Sequence, residues 1–353
     1  MSDAFAAVDD VLRRGCGSVF TGAVARIERD GALCFERAYG QTRADDRARA
    51  DDRARAVCID TRFDLASLTK LFTTTLVLQA VARKALGLDD PLSSFFPEWR
   101  GSAHAAITAR MLLAHDSGID SGADYRVLLD RRVTQCALEE PLVAAPRERV
   151  IYSDLGFIVL GMLLERLHGR ALAAIVEGAF ERRTLGYRPS ARERLSIPAT
   201  EDDGWRGRVQ GSVHDEKAHL MGGVAGHAGL FGTASDVAWL TRAYLGPLCD
   251  REATLLPEAL VREAVREQAA DPVLRRGLGW ALKTTDANSC GRDLSMSSFG
   301  HTGFVGTCVW ADPDRDLVGV LLTNSVYFGR RDTTRLRAAF YEATAGTVEH
   351  AMR

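Results

Sequence analysis

"FDLASLTKLF", residues 63–72, sets Ser67 and Lys70 three positions apart inside an otherwise apolar segment. Its lysine is one of only four, at positions 70, 84, 217 and 283; Lys and Arg together number 45, so arginine supplies 41. A sequence so biased keeps lysine mainly where arginine cannot serve. The chief task closed to arginine is giving up a proton, because guanidinium stays charged in proteins while a desolvated lysine can turn neutral. At a helix start, positions i and i+3 share a face. Such a helix also points free N–H groups and its positive dipole end at Ser67, which favours a developing oxyanion. Leu65, Ala66, Leu68, Leu71 and Phe72 surround the pair, and a charged lysine buried among them without a partner would be costly. The pair therefore reads as a candidate nucleophile and base.

The segments around it suggest the fold. Residues 3–14 carry Phe5, Val8, Val11 and Leu12 on one helical face. Residues 19–40 read as a hairpin turning at Asp30-Gly31. The tandem DDRARA at 45–56 reads as a solvated loop or short exposed helix. Residues 57–67 are strand-like, and a long helix follows at 67–84. Residues 85–250 alternate helices with loops, and "GFIVLGMLLERLHG" (156–169) is the clearest buried helix, ended by Gly169. Strand character returns in "GLGWAL" (277–282), "FGHTGFVGTCVWADP" (299–313) and "DLVGVLLTN" (316–324), with a turn at 312–316 and a last helix at 332–345.

Strands at both ends with helices between imply an α/β fold of α+β type. Its antiparallel sheet is formed by both chain termini, and a mainly helical domain is inserted. The expected division is 1–84 with 251–353 for the sheet domain and 85–250 for the insertion, with the site at their junction.

Composition bounds the function. The chain has 353 residues, 46% hydrophobic and 26% charged, with net charge −2 and a pI of about 6.5. This offers no electrostatic case for nucleic acid or membrane partners. The seven cysteines are scattered, with no C-x-x-C pair, and read as reduced thiols. With no signal peptide visible at the start, the expectation is a cytoplasmic protein. Oligomeric state is not legible.

Two further elements carry polar chemistry. In "VIYSDLG" (150–156), Tyr152 and Asp154 stand just before the buried helix. A phenol near a lysine ammonium is favoured as phenolate and could relay a proton; the plainer reading is a core Tyr and a capping Asp. In "GHTG" (300–303), His301 and Thr302 could donate to a substrate and Gly303 permits close backbone approach. The G-x-S-x-G elbow is absent from the chain. "HDEKAH" (214–219) spaces its histidines at i and i+5 instead of the i, i+4 of a zinc helix, so no metal or other cofactor is expected. His115 and His227 read as structural.

Taken in order, S67-L-T-K70, Y152-S-D154 and H301-T-G303 resemble the S-x-x-K, Y-x-N and K/H-T-G signature of the penicillin-recognising serine hydrolases. The branch they resemble most is the class C β-lactamase-related group of esterases, D-amino-acid peptidases and transesterases. "MLLAHDSGI" (111–119), "GGVAGHAGLFGTASDVA" (222–238) and "GFVGTCVWADP" (303–313) extend the resemblance along the chain.

It implies Ser67 as acylated nucleophile, Lys70 as its base and Tyr152 as proton donor to the leaving group. It implies an oxyanion hole from the N–H groups of Ser67 and Phe304, with His301, Thr302 and Gly303 along the pocket wall. Asp154 departs from Asn: ionised, it can only accept, and it favours a charged Lys70, which shifts the burden of base to Tyr152. His301 departs from Lys and is mostly neutral at pH 7. Both departures weaken the case for penicillin or stem-peptide turnover. The expectation is esterase-like hydrolysis of a small ester, amide or β-lactam substrate, with weak β-lactamase activity. The alternatives are a D-alanyl-D-alanine carboxypeptidase, D-aminopeptidase or β-lactamase proper, an acyl transferase, or a non-catalytic scaffold.

Overall fold

The computed structural model describes residues 3–44, 53–122, 124–271, 275–284 and 288–350. The DDRARA repeat lies mostly outside them. Near the N-terminus come α1 (Ala6–Gly15), β1 (Gly22–Arg29) and β2 (Ala32–Gly40). The β1–β2 hairpin turns at Asp30 (φ 51°) and Gly31 (φ 76°), the two left-handed residues that match the twist of paired strands. From the other end come β8 (Arg275–Arg276), β9 (Ala281–Leu282), β10 (Phe299–Thr302), β11 (Cys308–Asp312), β12 (Leu317–Thr323) and α10 (Thr334–His350). Together they form one antiparallel sheet in the order β2-β1-β12-β11-β10-β9-β8. N-terminal β1 pairs with C-terminal β12 from Ala23↔Thr323 to Arg29↔Leu317.

β12 is buried at all seven positions, as a strand covered on both faces must be. α1 and α10 pack together on one face, burying Val8, Leu12, Phe340 and Tyr341. The other face meets α8 (Ala234–Leu245) and the main core.

Between β2 and β8 lie β3 (Phe63–Asp64), α2 (Thr69–Ala82), α3 (Ala109–Ala114), α4 (Val133–Glu139), α5 (Asp154–His168) and α6 (Leu172–Ala179). They are followed by β4 (Gly186–Tyr187), β5 (Glu201–Asp203), β6 (Gly207–Val209), α7 (Glu216–Leu220), β7 (Leu230–Gly232), then α8 and α9 (Glu258–Val265). α2 buries eleven of its fourteen residues and packs on α5. A helix buried on nearly every side belongs at the centre of a large core.

Two expectations need correction. Within 57–67 only Phe63–Asp64 is strand, because the chain turns at Ala66. In "GLGWAL" only Ala281–Leu282 is strand; the rest turns, since Gly279 (φ 73°) abuts Thr74 of α2 so closely that a Cβ would lie 2.0 Å from Thr74 Oγ1. The turn carries Trp280 into the core, edge-on to Tyr244 of α8 (4.9 Å) and Phe299 of β10 (5.0 Å).

Trp280 thus ties the sheet to the helical core, and Trp280→Ala is expected to destabilise the protein by about 3–5 kcal/mol. Leu33→Ala, at a position 51% exposed, is expected to change stability by no more than about 0.5 kcal/mol. Urea unfolding of both variants measures the contrast.

Candidate active site

The turn before α2 places Ser67. β3 pairs with β7 (Phe63↔Gly232, Asp64↔Phe231), and Leu65 N–H continues that ladder to Leu230 O at 2.9 Å. Ala66 then adopts φ +46°, a conformation that costs a side-chain-bearing residue energy. Buried Asp64 holds it there, accepting from Ala66 N–H (2.8 Å) and, through its other oxygen, from His214 N–H (2.7 Å). Burial pushes the Asp64 carboxyl up to about 6, even against these two hydrogen bonds. Ser67 follows in a 3-10 turn, Ala66–Leu68, that runs into α2, where the first N–H groups have no intrahelical acceptor.

Lys70 is fully buried. Its Nζ donates to Ser67 Oγ (3.0 Å), Asp154 Oδ1 (2.8 Å) and His227 O (3.2 Å). An ammonium has three N–H donors and no acceptor, so three acceptors are what the charged form needs. Burial pulls the lysine's proton affinity down, but the carboxylate of Asp154 and the phenol of Tyr152 outweigh it and raise the pKa above 10.5. Burial also opposes ionisation of Asp154, yet Lys70 holds its carboxyl below the usual range. Asp154 is the first residue of α5, whose N-cap is Ser153, accepting from Gly156 N–H at 2.9 Å. The carboxylate also sits where a helix dipole favours negative charge.

Tyr152 lies with its ring centroid 4.8 Å from Lys70 Nζ. His115 flanks it, ring to ring at 4.6 Å. This histidine ends α3 in the left-handed conformation (φ 60°). Its Nδ1 accepts the Ser153 N–H at 3.0 Å and its carbonyl accepts the Ile151 N–H at 2.7 Å. His115 thereby fixes the backbone on both sides of Tyr152, and burial keeps its imidazole neutral, well below 6.5. His227 contributes its carbonyl to Lys70 while its Nε2 meets Asp215 Oδ1 at 2.8 Å. Asp215 also caps α7, the short helix that "HDEKAH" opens.

A cavity of about 640 Å³ opens over the pair, lined by Ser67, Tyr152, Asp154, Thr302, Gly303 and Phe304 among others. Thr302 reaches its wall, but His301 lies behind it, 2% exposed. Neighbouring strand residues face opposite ways, and His301 turns towards Tyr152 (6.2 Å between rings). Its Nδ1 meets Thr302 O at 2.8 Å. Burial, with the cations Arg276 and Lys70 nearby, keeps it well below 6.5, so it is neutral at pH 7. Gly303 is required: a Cβ there would stand 2.1 Å from Thr307 Oγ1 and 2.9 Å from Leu65 O. Phe304 is 58% exposed at the rim.

The structure thus gathers Ser67, Lys70, Tyr152, Asp154, Thr302, Gly303 and Phe304 and keeps His301 one layer back. Sequence reasoning missed two buried arginines of the same cavity, Arg276 and Arg337. In a chain with so many arginines neither stood out; the doubled arginine before "GLGW" was the available signal. Among the described residues, no His, Cys, Asp or Glu cluster is placed to hold a metal ion. No described helix is long and apolar enough to cross a membrane.

Comparisons with known proteins bear on the family and the fold. The family model described as Beta-lactamase matches residues 8–343. An N-acetylmuramyl-L-alanine amidase of Bacillus subtilis (strain 168) is 29% identical over 90% of this chain and 80% of its own length. A putative D-alanyl-D-alanine carboxypeptidase of Escherichia coli (strain K12) is 27% identical over 84% and 77%. Among solved structures, EstCE1, a hydrolase with promiscuous acyltransferase activity, superposes with TM-score 0.77 at 20% identity, covering 97% of this chain and 99% of its own. A class C beta-lactamase superposes with TM-score 0.76 at 16% identity, covering 97% and 98%.

The Lys70–Asp154 pair sets a pH dependence of stability. Asp154 has a depressed pKa, so its contribution is present above 3.8 and is lost as pH falls through its folded value. Lys70 has a raised pKa, so its contribution is complete below 10.5 and is lost as pH rises through its folded value. Asp154→Leu, which leaves the buried ammonium unpaired, is expected to cost about 3–5 kcal/mol at neutral pH. The stability gap between wild type and Asp154→Asn is expected to narrow as pH falls below 3.8. Urea unfolding across pH measures both.

Proposed function

The chain belongs to the Beta-lactamase family, whose members are hydrolases, and on that footing we propose that it is a serine acyl hydrolase with Ser67 as the acylated nucleophile. One observation carries the reading: the buried Lys70 ammonium reaches Ser67 Oγ and Asp154 Oδ1 at once. A serine held this way is oriented, and the charge beside it favours its alkoxide. With Lys70 kept as ammonium, the proton of Ser67 passes to Tyr152, in its anionic form. Oγ bonds to the substrate carbonyl carbon, and the oxyanion takes the N–H groups of Ser67 and Phe304. Tyr152 then protonates the departing oxygen or nitrogen, and water repeats the sequence to release the acid.

Esters fit this site best. His301 brings no charge for a substrate carboxylate, and ionised Asp154 cannot donate to an acyl-group carbonyl as Asn would. A second reading, hydrolysis of a D-amino-acid or peptidoglycan-derived amide, is favoured by the names of the amidase and carboxypeptidase relatives. Acyl transfer to an alcohol would use the same residues.

Intact-mass spectrometry after exposure to a fluorophosphonate and, separately, a penicillin tests the reading. A single fluorophosphonate adduct is expected, absent in Ser67→Ala; a folded wild type that takes neither reagent contradicts it and favours a non-catalytic role. Asp154→Asn, which restores an amide donor, is expected to form the penicillin adduct severalfold faster than wild type.

A further inference from the structure

Arg276, on β8, is 7% exposed and lines the same cavity as Ser67. Its Cζ stands 5.4 Å from the centroid of the Tyr152 ring. No hydrogen bond or ion pair joins its side chain to any described residue, and its Nε is fully buried without an acceptor. Several other arginines that leave the solvent have acids: Arg206 has Asp203, Arg110 has Glu263 and Arg26 has Glu28 and Glu36; buried Arg337 has a backbone carbonyl. A buried guanidinium without a carboxylate is costly. It persists in a fold where its charge serves another group.

The groups around it narrow the choice. His115, at the end of α3, and His301, on β10, are both neutral, and both feel the positive charge of Arg276. Lys70, on α2, is a cation, and the carboxylate of Asp154, at the start of α5, is committed to it. Arg337, on α10, donates to Gly303 O at 2.6 Å. What is left facing Arg276 is the Tyr152 phenol. Burial weakens the hold of Arg276 on its own proton, and Tyr152 acts in the opposite direction.

We propose that Arg276 is a positioning residue for Tyr152, a fixed positive charge that steadies the phenolate while it takes the Ser67 proton. In this chain that charge comes from β8 instead of the neutral His301 on β10. The inference rests on the acyl-enzyme reading above. The Ser67 O–H bond breaks, its proton goes to Tyr152 Oη and Oγ bonds to the acyl carbon. Arg276 neither gains nor loses a proton.

The test is the rate of Ser67 labelling by an uncharged fluorophosphonate from weakly acidic to alkaline pH, for wild type, Arg276→Met and Arg276→Lys. Each variant is checked for fold by near-ultraviolet circular dichroism. Arg276→Met is expected to label severalfold slower at neutral pH, with a pH profile that differs from the wild type's. Arg276→Lys is expected to keep most of the rate. With an uncharged p-nitrophenyl ester, kcat is expected to fall in Arg276→Met while KM stays unchanged. If Arg276→Met does not fold, Arg276→Gln carries the same expectation. Labelling of Arg276→Met at the wild-type rate with the wild-type pH profile overturns the proposal. So does a change confined to KM for anionic esters, which would make Arg276 a receiver of substrate charge. A wild type that does not label at Ser67 sinks the acyl-enzyme reading itself, and this inference with it.

Discussion

An ion pair between a fully buried ammonium, Lys70, and Asp154 on the cavity wall is the constraint around which the site is arranged. Its partners come from segments 84 and 157 residues away along the chain. α2, the start of α5 and the loop before β7 must therefore meet at one point. The ammonium has no solvent to turn to, so the protein supplies all three acceptors, and Ser67 is one of them. A stable charged lysine and an oriented serine are two results of the same hydrogen-bond count.

The proposed chemistry follows from that count. A lysine held as ammonium has no lone pair to receive a proton, so in the proposed mechanism the role of acceptor falls to Tyr152 as phenolate. The surroundings of Tyr152 suit this role: two neutral imidazoles, His115 and His301, bracket it without adding charge. The cations that face it are Lys70 and Arg276. The cost of burying these charges is borne by a large apolar core, in which α2 and α5 bury most of their residues.

Much of this was legible in the sequence, for definite physical reasons. Apolar periodicity announced α1 and α5, and the Asp30-Gly31 pair announced the hairpin, because each signal is local. The S-x-x-K spacing placed Ser67 and Lys70 on one helical turn, and Asp154 in place of Asn already implied a charged lysine. The rest depends on tertiary placement. Strand alternation, invisible until the register of β10 was known, put Thr302 on the wall and His301 behind it. The positive φ of Ala66 depends on Asp64 receiving an N–H from His214, 150 residues away. Arg276 stood among forty-one arginines, and only the fold set it against Tyr152.

The central claim is that Lys70 is an ammonium in the resting protein, and the chain's four lysines make it directly measurable. Carbon-detected NMR of protein labelled at lysine Cε resolves four signals, assigned by Lys→Arg substitution at the three other positions. The account predicts that the Lys70 signal keeps its ammonium shift through neutral pH and beyond the ordinary lysine value of 10.5, and that Asp154→Asn brings its titration to lower pH. A Lys70 signal already at the neutral-amine shift at pH 7 would contradict the account and return the role of base to the lysine.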